Sequence, residues 1–153
     1  MSLKRYKTDV RLENEGVRFC AGFTEDGREQ IFRLGRFSTS NKRFAEAYRK
    51  NIEPHMRNGE LAPLSKEAYE RIEQKSFAEG IILGWENIEV DWENAAGRSG
   101  PLEYSPEMAL WIIEELRDLY KNEFEPDDPK TLYGAARRFG LFQQAKLEGE
   151  AKN

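Results

Sequence analysis

Apolar and polar residues alternate over Val17-Arg-Phe-Cys-Ala-Gly-Phe23, with Val17, Phe19, Ala21 and Phe23 on one side and Arg18, Cys20 and Gly22 on the other. A period of two is that of a half-buried strand. A second apolar run, Gln30-Ile-Phe-Arg-Leu-Gly-Arg-Phe37, follows the turn Thr24-Glu-Asp-Gly-Arg28. Asp26-Gly27 tolerates positive φ, so residues 16–37 are predicted to form a β-hairpin. A hairpin is marginal alone and must pack on helices or pair with another chain.

From Asn41 onward the period changes to that of helices. Phe44, Tyr48, Ile52 and Met56 recur at i,i+4 behind Ser40 or Asn41 as a cap, which predicts a helix over 41–58 with Pro54 kinking it or ending it early. A second helix is expected over 65–84. Ser65 is its N-cap and Glu67 lies in its first turn, with Tyr69, Ile72, Ser76 and Phe77 leading to Ile81–Leu83 and Trp85 at the C-terminal end. The third, 105–122, has the clearest start: Ser105 as N-cap, Pro106 at the first helical position and Glu107 on the favourable end of the dipole. Ala109, Ile112, Ile113, Leu116, Leu119 and Tyr120 form its apolar stripe. A fourth, 129–142, carries Leu132, Tyr133, Ala136 and Phe139 after Glu125-Pro-Asp-Asp128. The expected fold class is therefore α+β, mainly α-helical, an N-terminal hairpin followed by about four helices. Residues 1–142 are expected to form one domain, and the polar stretch 143–153 a disordered tail.

Between the second and third helices, Glu86–Glu103 is too long for a routine helix link. It holds Gly97 and Gly100-Pro101, and Ile88, Val90, Trp92 and Leu102 are available to anchor it. Charge divides unevenly around this point. Residues 1–60 carry 13 Lys and Arg against 9 Asp and Glu, whereas Trp85–Asp128 carries 3 against 13. The basic front half has both signs interleaved and no block of like charge, which argues against nucleic acid as a partner. With an apolar fraction of 39% and a charged fraction of 34%, the core is small and the surface heavily solvated. The chain has no apolar run long enough to span a bilayer, so no membrane partner is expected, and the lone Cys20 fits a reducing compartment. The expected location is the cytoplasm.

Candidate chemistry is sparse. His55 is the sole imidazole and Cys20 the sole thiol, too few for a zinc site, and no local Cys-His signature links them. Counted from Asp91, the positions where an EF-hand needs Gly and Glu hold Ala96 and Leu102. Neither phosphate-binding glycine motif occurs. Glu114 and Glu115 diverge by about 100° around a helix and form a solvated flank. No catalytic, metal-binding or cofactor-binding residue is therefore predicted, and an enzyme is not expected. The remaining candidates are aromatic and aliphatic: Trp85, Trp92, Tyr104, Trp111, Ile113 and Leu116, as packing anchors or as contacts for a partner protein.

The order of segments resembles the tail assembly chaperones of long-tailed, lambda-type bacteriophages. The resemblance is carried by Gly16-Val-Arg-Phe19, Asn41-Lys-Arg-Phe44 with Tyr48 and Arg57-Asn-Gly59, Ile81-Ile-Leu-Gly-Trp85, and Gly100-Pro-Leu-Glu-Tyr104-Ser-Pro-Glu107, over residues 15–120. It implies a non-enzymatic protein of a phage or prophage that acts in the bacterial host cytoplasm. Its expected partners are the tape-measure protein and the major tail-tube protein, and homo-oligomers are compatible with it. In this reading Trp85, Ile113 or Leu116 would cover the client's helices. The alternative is a small nucleic-acid-associated regulator using the basic N-terminal half.

Overall fold

The computed structural model describes residues 3–93 and 95–143. It does not open on a hairpin. A 3-10 turn (Leu3–Tyr6) and a helix, α1 (Val10–Glu15), come first, and the Asp9 side chain caps α1 by accepting the Arg11 amide proton. Strands β1 (Val17–Phe23) and β2 (Glu29–Leu34) follow, then α2 (Lys42–Ile52), a 3-10 turn (Glu53–His55), and the two-residue strands β3 (Met56–Arg57) and β4 (Glu60–Leu61). Helix α3 (Lys66–Gly80) leads into β5 (Ile82–Glu86), with the ribbon strands β6 (Glu89–Val90) and β7 (Gly100–Pro101) beyond it. The chain continues through α4 (Pro106–Glu115), α5 (Arg117–Tyr120), α6 (Leu132–Arg137) and a 3-10 turn, Phe139–Phe142.

The fold class is thus corrected from mainly helical with a leading hairpin to mixed, 44% helix and 19% strand in small sheets. The expected helix over 41–58 stops at Ile52, because Pro54 holds the following turn in 3-10 geometry and Asn58-Gly59, both at positive φ, turn β3 back on β4. The expected helix over 65–84 ends at Gly80, and Trp85 lies on a strand. The expected 105–122 breaks at Leu116, whose ψ of 70° is not helical, into α4 and α5. The expected 129–142 shrinks to α6 and its 3-10 extension. Apart from Gln143, the tail expected over 143–153 falls outside the described residues.

The main sheet has the order β1-β2-β5, all antiparallel. Val17 and Phe19 of β1 lie beside Leu34 and Phe32 of β2, which in turn face Ile82 and Trp85 of β5, so one side of the sheet is apolar throughout. The register slips between Cys20 and Gly22. One extra residue there reverses the side to which later residues point, so Phe23 emerges 64% exposed rather than joining Phe19. On the opposite side Arg18 pairs with Glu86 across three strands, Nη2 to Oε2 3.1 Å.

Helices cover the apolar side. Phe77, Ile81, Ile82, Ile112, Ile113, Leu132 and Ala136 are fully buried between sheet and helices; Phe37, Tyr120 and Tyr133 ring Phe77 at centroid distances of 5.1–6.2 Å, and Phe44 lies 4.9 Å from Phe37. Burying each large apolar side chain stabilises the fold by about 1.5–3 kcal/mol. Two details fix α2 on α3. A Cβ at Gly80 would sit 2.8 Å from the Phe44 amide nitrogen, so the close approach requires glycine. Beside it the buried Asn41 uses its whole amide: Oδ1 accepts from the Arg43 and Phe44 amides, and Nδ2 donates to the Arg36 and Gly80 carbonyls.

Candidate functional site

Five of the six residues singled out from the sequence separate into two groups. Trp85 and Tyr104 belong to a closed one. Trp85, on β5, meets Phe32 edge-on at 5.9 Å and Tyr104 edge-on at 5.2 Å. Its indole Nε1 donates to the Leu102 carbonyl (2.9 Å), while the Tyr104 hydroxyl donates to the Ile82 carbonyl (2.6 Å). The acidic loop is therefore pinned to the sheet by side chains at both of its ends. Between them the loop folds into the β6–β7 ribbon, Val90 opposite Gly100, with the Leu102 amide donating to Ile88. Burial, reinforced by Glu107 and opposed by Arg43 and Arg33, pushes the Tyr104 phenol above its ordinary value, so it remains a donor at neutral pH.

Trp92, Trp111 and Leu116 belong to an open group. Trp92 and Trp111 are stacked with nearly parallel planes, centroids 6.1 Å apart at an interplanar angle of 10°, and the Arg98 guanidinium covers the Trp111 ring at 4.6 Å. Beside the stack lies a cleft of about 320 Å³. Its apolar wall is Phe32 from β2, Ile88 from the loop, Trp92, and Ile112, Leu116 and Leu119 from α4 and α5. Gln30, Glu89 and Asp91 supply its polar lining. The helix break at Leu116 is what lets residues from both α4 and α5 line one hollow. Ile113, by contrast, is buried in the core and does not line the cleft.

The two indoles differ in one respect that decides how they are read. Trp85 has its acceptor, whereas Trp92 Nε1 is buried with no hydrogen-bond partner among the described residues. An unsatisfied buried donor costs about 1–3 kcal/mol. Sequence reasoning named Trp92 and Leu116 but missed Phe32, Ile88 and Leu119 as parts of the same wall, since the hollow forms only when β2 comes under α4. Leu119's place in the apolar stripe and Ile88's among the loop anchors were the available signals.

Other candidates are dispersed. Cys20 is exposed on β1 and His55 lies in the 3-10 turn after α2. Among the described residues no group of three or more His, Cys, Asp and Glu is placed to hold a metal ion, and no helix is long and apolar enough to cross a membrane. Many front-half cations are already matched: Arg18 with Glu86, Arg28 with Asp26, Arg49 with Glu46, Lys50 with Glu79, and Arg36 with the buried Glu13 at 2.6 Å. Carboxylates on the acidic side are less engaged. None of the ion pairs among the described residues involves Asp91, Glu93, Glu115 or Asp118.

The fold is mixed α and β with a hollow lined by apolar side chains and by Gln30, Glu89 and Asp91, and residues 39–125 match the family described as YdaY prophage protein. As the match spans more than half of the chain, the protein belongs to that family. It takes in α2 to α5, with the Trp85–Tyr104 pair and the Trp92–Trp111 stack both inside it. No curated protein and no solved structure matches the chain.

Proposed function

We propose that this prophage-family protein is a tail assembly chaperone: a non-enzymatic binding protein of the bacterial host cytoplasm that holds the tape-measure protein soluble and helps bring tail-tube subunits to it. The observation that carries the reading is the cleft beside Trp92. It is apolar on several sides, open, and lies next to a stacked tryptophan pair, the residue type most enriched where proteins bind one another. Membership of a prophage family and the order of segments that resembles tail assembly chaperones favour the same reading. The excess of acidic residues over Trp85–Asp128, 13 against 3 basic, would keep a loaded complex dispersed.

Co-expression with a phage tape-measure protein is the test. The tape-measure protein is expected to shift from the insoluble to the soluble fraction and to co-purify. Unchanged solubility with no complex would overturn the proposal. The nucleic-acid alternative has less support, because cations that phosphate would need are engaged by carboxylates.

A further inference from the structure

Resting on the reading of the cleft as a protein-binding site, we infer that its occupant is an amphipathic helix that inserts one or two large apolar side chains and carries Lys or Arg on either side of them. Size sets the first part. At about 320 Å³ the hollow is at the lower end of the ~300–1,000 Å³ typical of ligand pockets, which suits a leucine or phenylalanine anchor better than a whole cofactor. Its wall is made of Phe32, Ile88, Trp92, Ile112, Leu116 and Leu119, with no cation among the residues that line it.

Backbone pairing sets the second part. Phe32 lies on β2, the central strand, which pairs with β1 on one side and β5 on the other. The floor of the cleft therefore presents side chains and not an unpaired strand edge. The lining also takes in Ala21 of the edge strand β1, but Ala21 sits at the register slip, where a guest strand would meet an interrupted ladder, whereas a helix needs only a groove for its apolar stripe.

Charge sets the third part. The carboxylates at hand are Glu89 and Asp91 in the lining and, outside it on α5, Asp118, whose neighbour Arg117 is paired with Glu123 at 2.9 Å. Only Glu89 of these three is in an ion pair among the described residues, at 3.8 Å from Arg28. Trp85–Asp128 as a whole carries 13 acidic against 3 basic residues. An acidic helix would be repelled and a basic one drawn in, at a rate that salt reduces.

The probe is a pair of synthetic twenty-residue helical peptides with the same leucine stripe, one flanked by lysines and the other by glutamates. They are titrated against the full chain by calorimetry, with tryptophan emission recorded alongside. The lysine peptide is expected to bind at least tenfold more tightly than the glutamate peptide. Its affinity should fall at least fivefold between 50 and 300 mM salt, and at least tenfold in Leu119→Glu of unchanged melting temperature. Asp91→Lys should narrow the preference between the peptides, which a purely apolar hollow would not show. Equal affinity for both peptides, or lysine-peptide binding untouched by Leu119→Glu, overturns the inference. The outcomes separate from those of the chaperone test: co-purification of the tape-measure protein that survives Leu119→Glu leaves the chaperone reading standing and removes the cleft. Charge-selective peptide binding with no tape-measure complex does the reverse.

Discussion

Two tryptophans less than ten residues apart on the same loop region are held in opposite ways. Trp85 is enclosed by Phe32 and Tyr104 and its N–H is satisfied by Leu102, while Trp92 is stacked parallel to Trp111 beside an open hollow with its N–H unmatched among the described residues. Residue type and sequence neighbourhood are nearly the same, so the difference arises from what each ring is bonded to. An indole with its polar atom paired and its edges against other rings is a structural rivet. One whose ring lines a cleft leaves ring surface for a partner, while its buried, unmatched donor lowers what it contributes to the fold.

The contrast breaks most visibly under truncation. Trp85→Ala removes the ring that joins β5, β2 and the loop, and should lower unfolding free energy by about 3 kcal/mol, read by urea denaturation with the slope unchanged. Loss of under ~1 kcal/mol would place Trp85 with the open group. A smaller effect is expected from Tyr104→Phe, which leaves the ring and deletes one hydrogen bond to a carbonyl, at about 1 kcal/mol. Leu119→Glu, on the rim of the hollow, should change stability by less than ~1 kcal/mol while abolishing partner binding, the reverse of the Trp85 pattern.

Alkaline pH distinguishes the regions without mutation. Burial, first among the causes, raises the Tyr104, Tyr120 and Tyr133 phenols above their ordinary value, and all three belong to the enclosed aromatic side. A group whose folded pKa is raised contributes stability in full below the unfolded value, near ~10 for tyrosine, and loses it as pH rises through the folded value. The melting temperature is expected to fall above about pH 10, with a shallower fall in Tyr104→Phe. A fall just as steep in Tyr104→Phe would mean that Tyr104 takes no part in it.

How much of this was legible in the sequence depended on how far apart the interacting residues lie. Caps are local, and Asn41, Ser65 and Ser105 each hold the helix start that the sequence marks. Strand β5 was not legible, because Ile81-Ile-Leu follows a helical stripe without a break and becomes a strand only by pairing with β2, some fifty residues earlier. The division at Leu116 has no proline or glycine to announce it. Helix α1 was missed for the opposite reason: it is short, polar on most sides, and held by the buried contact of Glu13 with Arg36 and Thr8 more than by an apolar face. The same logic applies to the site. Trp92 and Leu116 could be named as aromatic or apolar candidates, but that they share a hollow with Phe32 follows only from the sheet and helices meeting.

The central claim is that the Trp92 cleft binds a partner and the Trp85 cluster maintains the fold. Its most direct test is co-purification of the tape-measure protein with three chains of the same prophage protein: wild type, Leu119→Glu and Tyr104→Phe, each with its melting temperature measured. The account predicts retention by wild type and by Tyr104→Phe despite the latter's lower melting temperature, and loss from Leu119→Glu at unchanged melting temperature. Retention by a stably folded Leu119→Glu, or loss confined to Tyr104→Phe, would contradict it.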